Sequence, residues 1–172
     1  FVEKMNMLEN AEDGIAFSTG MAAIFASMAG LLKAGDHVVA SNALFGSCIQ
    51  ILTKITSKWG IECTFVPGAD INAWKAAIKP NTKFLFCESP SNPVLELIDL
   101  KELAALKKGK DLILAVDNCF ATPILQTPLD LGADLVIHSA TKYIDGQGRV
   151  LGGVICGKKV YIDEIRFFAR HT

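Results

Sequence analysis

The apolar residues of this sequence fall in short unbroken runs, and helix-like stretches lie between the runs. Leu112-Ile-Leu-Ala-Val116 is the clearest case. A strand with one face in water alternates apolar and polar residues, whereas a strand covered on both faces does not. Further runs read as strands at Gly14–Thr19, His37–Ala40, Ile61–Val66, Lys83–Cys87, Ala133–His138 and Gly153–Cys156. Between them, apolar spacing predicts helices over Met21–Lys33, Phe45–Trp59, Ile71–Ile78 and Leu100–Lys108, the last with Asp99 as its N-cap. Strands and helices in alternation build βαβ units. The expected fold is therefore α/β, a mostly parallel sheet with helices on both faces. No linker or repeat interrupts it, so residues 1–172 read as one domain.

The rest of the composition excludes more than it assigns. A net charge of −1 offers no attraction to nucleic acid or to an anionic membrane. The longest apolar run, Gly20 to Leu32, falls well short of the roughly twenty residues that span a bilayer. Phe1 is an unusual first residue, no secretory leader is visible, and both ends are expected to be truncated. The five cysteines are odd in number and show no C-x-x-C spacing, so neither a disulfide framework nor a metal site is expected. A reducing cytoplasm fits them best. His37, His138 and His171 show no ligand spacing and read as structural.

Parallel sheets bind ligands beyond the carboxyl ends of their strands. In this sequence the polar chemistry gathers just there. Ser18-Thr19-Gly20-Met21 joins a strand to a helix, where glycine allows close approach and the first helical amides point outward. Such a turn can dock a phosphate, or it can be a plain capped turn. Asp117 directly follows an apolar strand, so its carboxylate calls for a partner: a protonated pyridine nitrogen, a metal, a ribose hydroxyl, or simply a turn amide. Ser139-Ala-Thr141-Lys142 sets two hydroxyls and a lysine after another strand, able to hold a phosphate and present an amine to an aldehyde. Glu88-Ser-Pro-Ser-Asn92-Pro93 is a proline-stiffened loop that aims Asn92. Phe45, at the start of a helix, is either a core ring or one that stacks on a flat ligand. A dinucleotide-binding reading is disfavoured because no G-x-G-x-x-G follows a strand.

Taken together, Ser18-Thr-Gly-Met-Ala-Ala23, Glu88-Ser-Pro-Ser-Asn-Pro93, Val116-Asp-Asn118 and Ser139-Ala-Thr-Lys-Tyr143 resemble the Cys/Met-metabolism family of pyridoxal-phosphate (PLP) enzymes, in order and along nearly the whole chain. Gly146-Gln-Gly-Arg149 and the Leu-Phe-Gly of Asn42–Gly46 resemble its O-succinylhomoserine sulfhydrylase branch. The resemblance implies an aspartate-aminotransferase-like large domain with Lys142 holding PLP as a Schiff base. Asp117 would pair with the pyridine nitrogen. Gly20 and Met21 amides, with Ser139 and Thr141 hydroxyls, would hold the phosphate. Asn92 would lie near the phenolic oxygen and the substrate carboxylate. Phe45 would stack on the ring, in place of the family's usual tyrosine and without its hydroxyl. The implied reaction is γ-replacement of an O-acylhomoserine by sulfide, giving homocysteine, with a cystathionine synthase or a γ-lyase as alternatives. A cofactor-binding module without a complete site is the non-enzymatic alternative. The resemblance also implies a homo-oligomer, a dimer of dimers. It places an N-terminal arm before Phe1, and after Thr172 a C-terminal domain with the arginine that clamps the substrate carboxylate.

Overall fold

Every run read as a strand becomes a strand of one sheet in the computed structural model, which describes residues 1–172. In chain order the elements are α1 (Val2–Glu9), β1 (Asp13–Phe17), α2 (Gly20–Ala29), β2 (His37–Ser41), α3 (Gly46–Gln50), β3 (Glu62–Val66) and α4 (Ile71–Ala77). Then follow β4 (Thr82–Glu88), α5 (Leu100–Ala105), β5 (Ile113–Asp117), α6 (Thr122–Leu125), β6 (Leu135–Ser139), β7 (Gly153–Gly157) and α7 (Lys159–His171). The strands lie in the order β1-β7-β6-β5-β4-β2-β3. All neighbours from β3 across to β6 are parallel. β7 runs antiparallel to both β6 and β1, so β1 points the same way as the parallel strands. Six strands therefore end at one edge of the sheet.

Both faces are covered, as the unbroken runs require. On one face, Phe84, Phe86, Ala115, Leu135, Ile137 and Ile155 pack against Ala23 and Ile24 of α2, Cys48 of α3 and Ile162 and Ile165 of α7. On the other, Leu85, Leu114 and Val116 pack against Trp74 of α4 and Leu100 and Leu103 of α5. Met5 of α1 covers Val136, Val154 and Cys156 on that same side. Burying each large apolar side chain is worth about 1.5–3 kcal/mol, and these contacts hold the helices to the sheet. At the amino ends of the strands, Asp134 is buried between Lys107 and Lys158 and accepts the Leu114 N–H at 2.8 Å. It has a structural partner set, in keeping with its place before a strand.

The helices depart from the sequence reading in length. The single helix expected over Phe45–Trp59 is α3 followed by a wide π-type turn, Ile51–Ile55, and a 3-10 turn, Thr56–Trp59. The hydroxyls of Thr53, Thr56 and Ser57 bond back to carbonyls four residues earlier, which bends a helix. α2 stops at Ala29, where Gly30 caps it. α5 stops at Ala105, after which the amides of Leu106, Lys107 and Lys108 tighten to carbonyls three residues back. α6 and α7 lie beyond the predicted helices, although Ile162, Ile165 and Phe168 of α7 sit at helical spacing. Asp99 caps α5, accepting the Glu102 N–H at 3.0 Å.

Candidate active site

The carboxyl ends of the strands enclose a cavity of about 250 Å³. Gly20, Met21, Phe45, Asn92, Asp117, Ser139, Thr141 and Lys142 all line it, so the structure brings together every residue singled out from the sequence. Strand alternation explains part of this convergence. Glu88 and Asp117 are register partners at the ends of β4 and β5 and face the same side as the α2 packing layer. Ser139, the last residue of β6, faces that side too.

Asp117 is buried and has no cation beside it; its Oδ1 accepts the Cys119 N–H at 3.0 Å. Burial, and secondarily the neighbouring Glu88 carboxylate, push it up to about 7, with the Cys119 amide pulling the other way. Such a group gains most from a cationic ligand. Glu88 is also buried, and burial raises it above the usual carboxylate range against the pull of the Phe45 and Asn92 amides. Its Oε2 accepts the Phe45 N–H at 2.8 Å, which pins the loop bearing that ring to the end of β4.

The Gly20 turn closes the opposite wall. Thr19 caps α2, its hydroxyl accepting the Ala22 N–H at 3.0 Å. The Gly20 and Met21 amides precede the first intrahelical bond and have no acceptor in the protein. A Cβ on Gly20 would lie 2.6 Å from Ser139 Cβ, so only glycine lets the turn approach β6 this closely. Gly153, at the start of β7, is constrained likewise, by the Thr19 carbonyl. The Ser139 hydroxyl makes no hydrogen bond in the protein, while Thr141 Oγ1 accepts the Gly152 N–H at 3.2 Å and donates to the Gly152 carbonyl over a long 3.5 Å, a contact a better acceptor would replace. Lys142 lies in a wide turn, Ala140–Ile144, and departs from it with φ −90° and ψ −116°.

Glu88, Cys119 and Phe120 also line the cavity and were not among the residues expected to do so. Glu88 could have been found by parity, since it ends its strand on the same face as Asp117. Burial pushes the Cys119 thiol up to about 12, which leaves it a neutral wall rather than a nucleophile. No group of three or more His, Cys, Asp or Glu gathers where a metal could be held. No helix is long and apolar enough to cross a membrane.

Over residues 1–172 the sequence matches the family model described as Cys/Met metabolism PLP-dependent enzyme. The chain belongs to that family. Among its relatives in the family, it is 51% identical over 170 residues to the O-succinylhomoserine sulfhydrylase of Pseudomonas aeruginosa, covering 99% of this chain and 42% of that protein. It is 45% identical over 166 residues to the cystathionine gamma-lyase of Bacillus subtilis, covering 96% and 44%. The solved structure of metB from Corynebacterium glutamicum superposes with a TM-score of 0.93 at 41% identity, over 95% of this chain and 43% of that one. The chain thus spans about two-fifths of the length of the curated relatives it matches. Members of the Cys/Met family depend on PLP, and the cavity suits that group on three counts. A buried carboxylate lacks a cation, two helical amides lack an acceptor beside a free hydroxyl, and a lysine opens onto the same space.

Proposed function

We propose that this chain is the cofactor-binding part of an enzyme that replaces the γ-substituent of an O-acylhomoserine, O-succinylhomoserine before others, by sulfide to give homocysteine. The observation that carries the reading is the meeting of Lys142, Asp117 and the Gly20 turn with Ser139 in one cavity. The sulfhydrylase branch is favoured by Gly146-Gln-Gly-Arg149 and by the identity to the P. aeruginosa sulfhydrylase.

The residues divide the work by chemistry. Lys142 would hold the cofactor through its amine. Asp117 would face the ring nitrogen and keep a proton on it, which in turn relieves the cost of its own burial. The Gly20 and Met21 amides, with the Ser139 and Thr141 hydroxyls, would hold the phosphate. Phe45 would cover the ring face, and Asn92 would orient the phenolic oxygen and the substrate carboxylate. PLP, when bound, supplies an electron sink for negative charge developing on the substrate's carbon skeleton. Lys142 Nζ would serve as the base that takes the proton from the substrate's Cα and handles the one at Cβ. The lysine is exposed at the cavity mouth, where it can swing between these positions. A cytoplasmic homo-oligomer, a dimer of dimers, completes the proposal.

γ-Elimination is the second reading, favoured by the 45% identity to a cystathionine gamma-lyase. Assays of the protein with O-succinylhomoserine and either sulfide or cysteine separate the alternatives. Homocysteine from sulfide is expected. Faster turnover with cysteine would make it a cystathionine synthase, and α-keto acid released without any added nucleophile would make it a lyase.

A further inference from the structure

Behind the cavity, on the opposite face of the sheet, lies a polar cluster that none of these roles uses. Successive strand residues point to opposite faces. Glu88, Asp117 and Ser139 face the cavity, and their neighbours Ser89, Asn118 and His138 are wholly buried on the other side. Glu9, the last residue of α1, is wholly buried with them. Its Oε1 lies 2.6 Å from His138 Nε2 and accepts Asn118 Nδ2 at 3.2 Å. Asn118 also donates to the Gln126 carbonyl at 2.7 Å, and its Oδ1 accepts the Gln126 side chain at 2.9 Å. The same Gln126 amide donates to the Ser89 carbonyl at 2.8 Å. One set of bonds therefore ties the ends of β4, β5 and β6 to each other and to α1.

Stability is a poor explanation for this cluster. Glu9 Oε2 and His138 Nδ1 are buried without partners. Unpaired buried polar atoms are costly, and apolar side chains of similar volume would avoid that cost. What the cluster supplies is a fixed spacing between strand ends, one residue away from each cavity-facing group. We propose that Glu9 and His138, with Asn118 and Gln126, are positioning residues. They set the strand ends so that Asp117 and Ser139 meet the ring nitrogen and the phosphate of one cofactor together. The inference rests on the PLP reading of the cavity.

The test measures PLP affinity and visible circular dichroism in Glu9→Ala, Glu9→Gln and His138→Gln variants of the protein. Dichroism in the cofactor's absorption band reports how the ring sits against its surroundings, and a purely structural role does not move it in molecules that stay folded. Glu9→Ala is expected to weaken PLP binding roughly ten-fold, the scale of losing a support behind a ligand-holding group, and to change the dichroism of saturated protein. Glu9→Gln keeps an acceptor at Oε1 and His138→Gln keeps a donor near Nε2, so both recover most of the wild-type signal. Should Glu9→Ala not fold, Gln126→Leu takes its place with the same expected change. Variants that lose melting temperature alone, with wild-type affinity and dichroism, overturn the proposal. A wild-type protein that takes up no PLP overturns the cofactor reading itself, and this proposal with it.

Discussion

Glu88 and Asp117 stand side by side at the ends of β4 and β5, two buried carboxylates without a cation to share. The native state keeps protons on them that the unfolded chain has already released. Stability of the cofactor-free protein should therefore fall as pH rises from about 4 to about 7, and level off above that. Each unit of separation is worth about 1.4 kcal/mol, so Asp117 alone accounts for a few kcal/mol. Denaturant titrations across this range should show the fall in wild type and a much flatter profile in Asp117→Asn. An equal slope in the variant would put the titrating group elsewhere.

Lys142 is exposed and its side chain makes no hydrogen bond in the protein, so its replacement should leave stability within about 0.5 kcal/mol. Lys142→Ala should nonetheless abolish the borohydride-reducible adduct with PLP. Mass spectrometry of reduced protein reads this directly. An adduct that survives the change would assign the amine to another lysine.

Gly20→Ala sets two effects against each other. Alanine is favoured over glycine in helices by up to about 1 kcal/mol. The new Cβ would meet Ser139 Cβ at 2.6 Å and Cα at 2.9 Å, and backbone cannot withdraw as a side-chain tip can. Overpacking of this kind costs about 1–3 kcal/mol, so the clash should win. Both melting temperature and PLP affinity are expected to drop, and a rise in either would mean the turn has room it does not show.

Phe45 gives a cleaner measure of ring stacking. Its N–H bond to Glu88 is a backbone contact that substitution leaves in place. Aromatic stacking is worth about 0.5–1.5 kcal/mol, so Phe45→Ala should weaken PLP binding roughly two- to twelve-fold while Phe45→Tyr leaves it nearly unchanged. Equilibrium titration of cofactor fluorescence checks both. Equal affinity in wild type and Phe45→Ala would remove the ring from the site.

The strands and the cavity residues were legible in the sequence for the same reason. An unbroken apolar run marks a strand buried on both faces, and the residue that ends it marks the binding edge. Asp117 and Lys142 follow such runs and could be found one at a time. The Phe45–Trp59 region was misread because hydroxyl groups that bend a helix do not disturb its apolar spacing. Glu9 and His138 were opaque for a different reason. Their contact joins residues 129 apart, and no local pattern announces that the end of α1 reaches under β6. His138 does hold a wholly buried structural position, bonded to Glu9 through Nε2 alone, but its neighbour Ser139 gives that position a bearing on the cavity.

The reversed strand β7 also sets the width of the site. β1 and β6 share no hydrogen bonds; each bonds to β7, which lies between them. Residues 153–157 fill that gap and, together with the packing of α2 on β6, hold the Gly20 turn against Ser139. A chain without those five residues would keep the amine, the aspartate and both halves of the phosphate cradle, and lose the strand that spaces the halves.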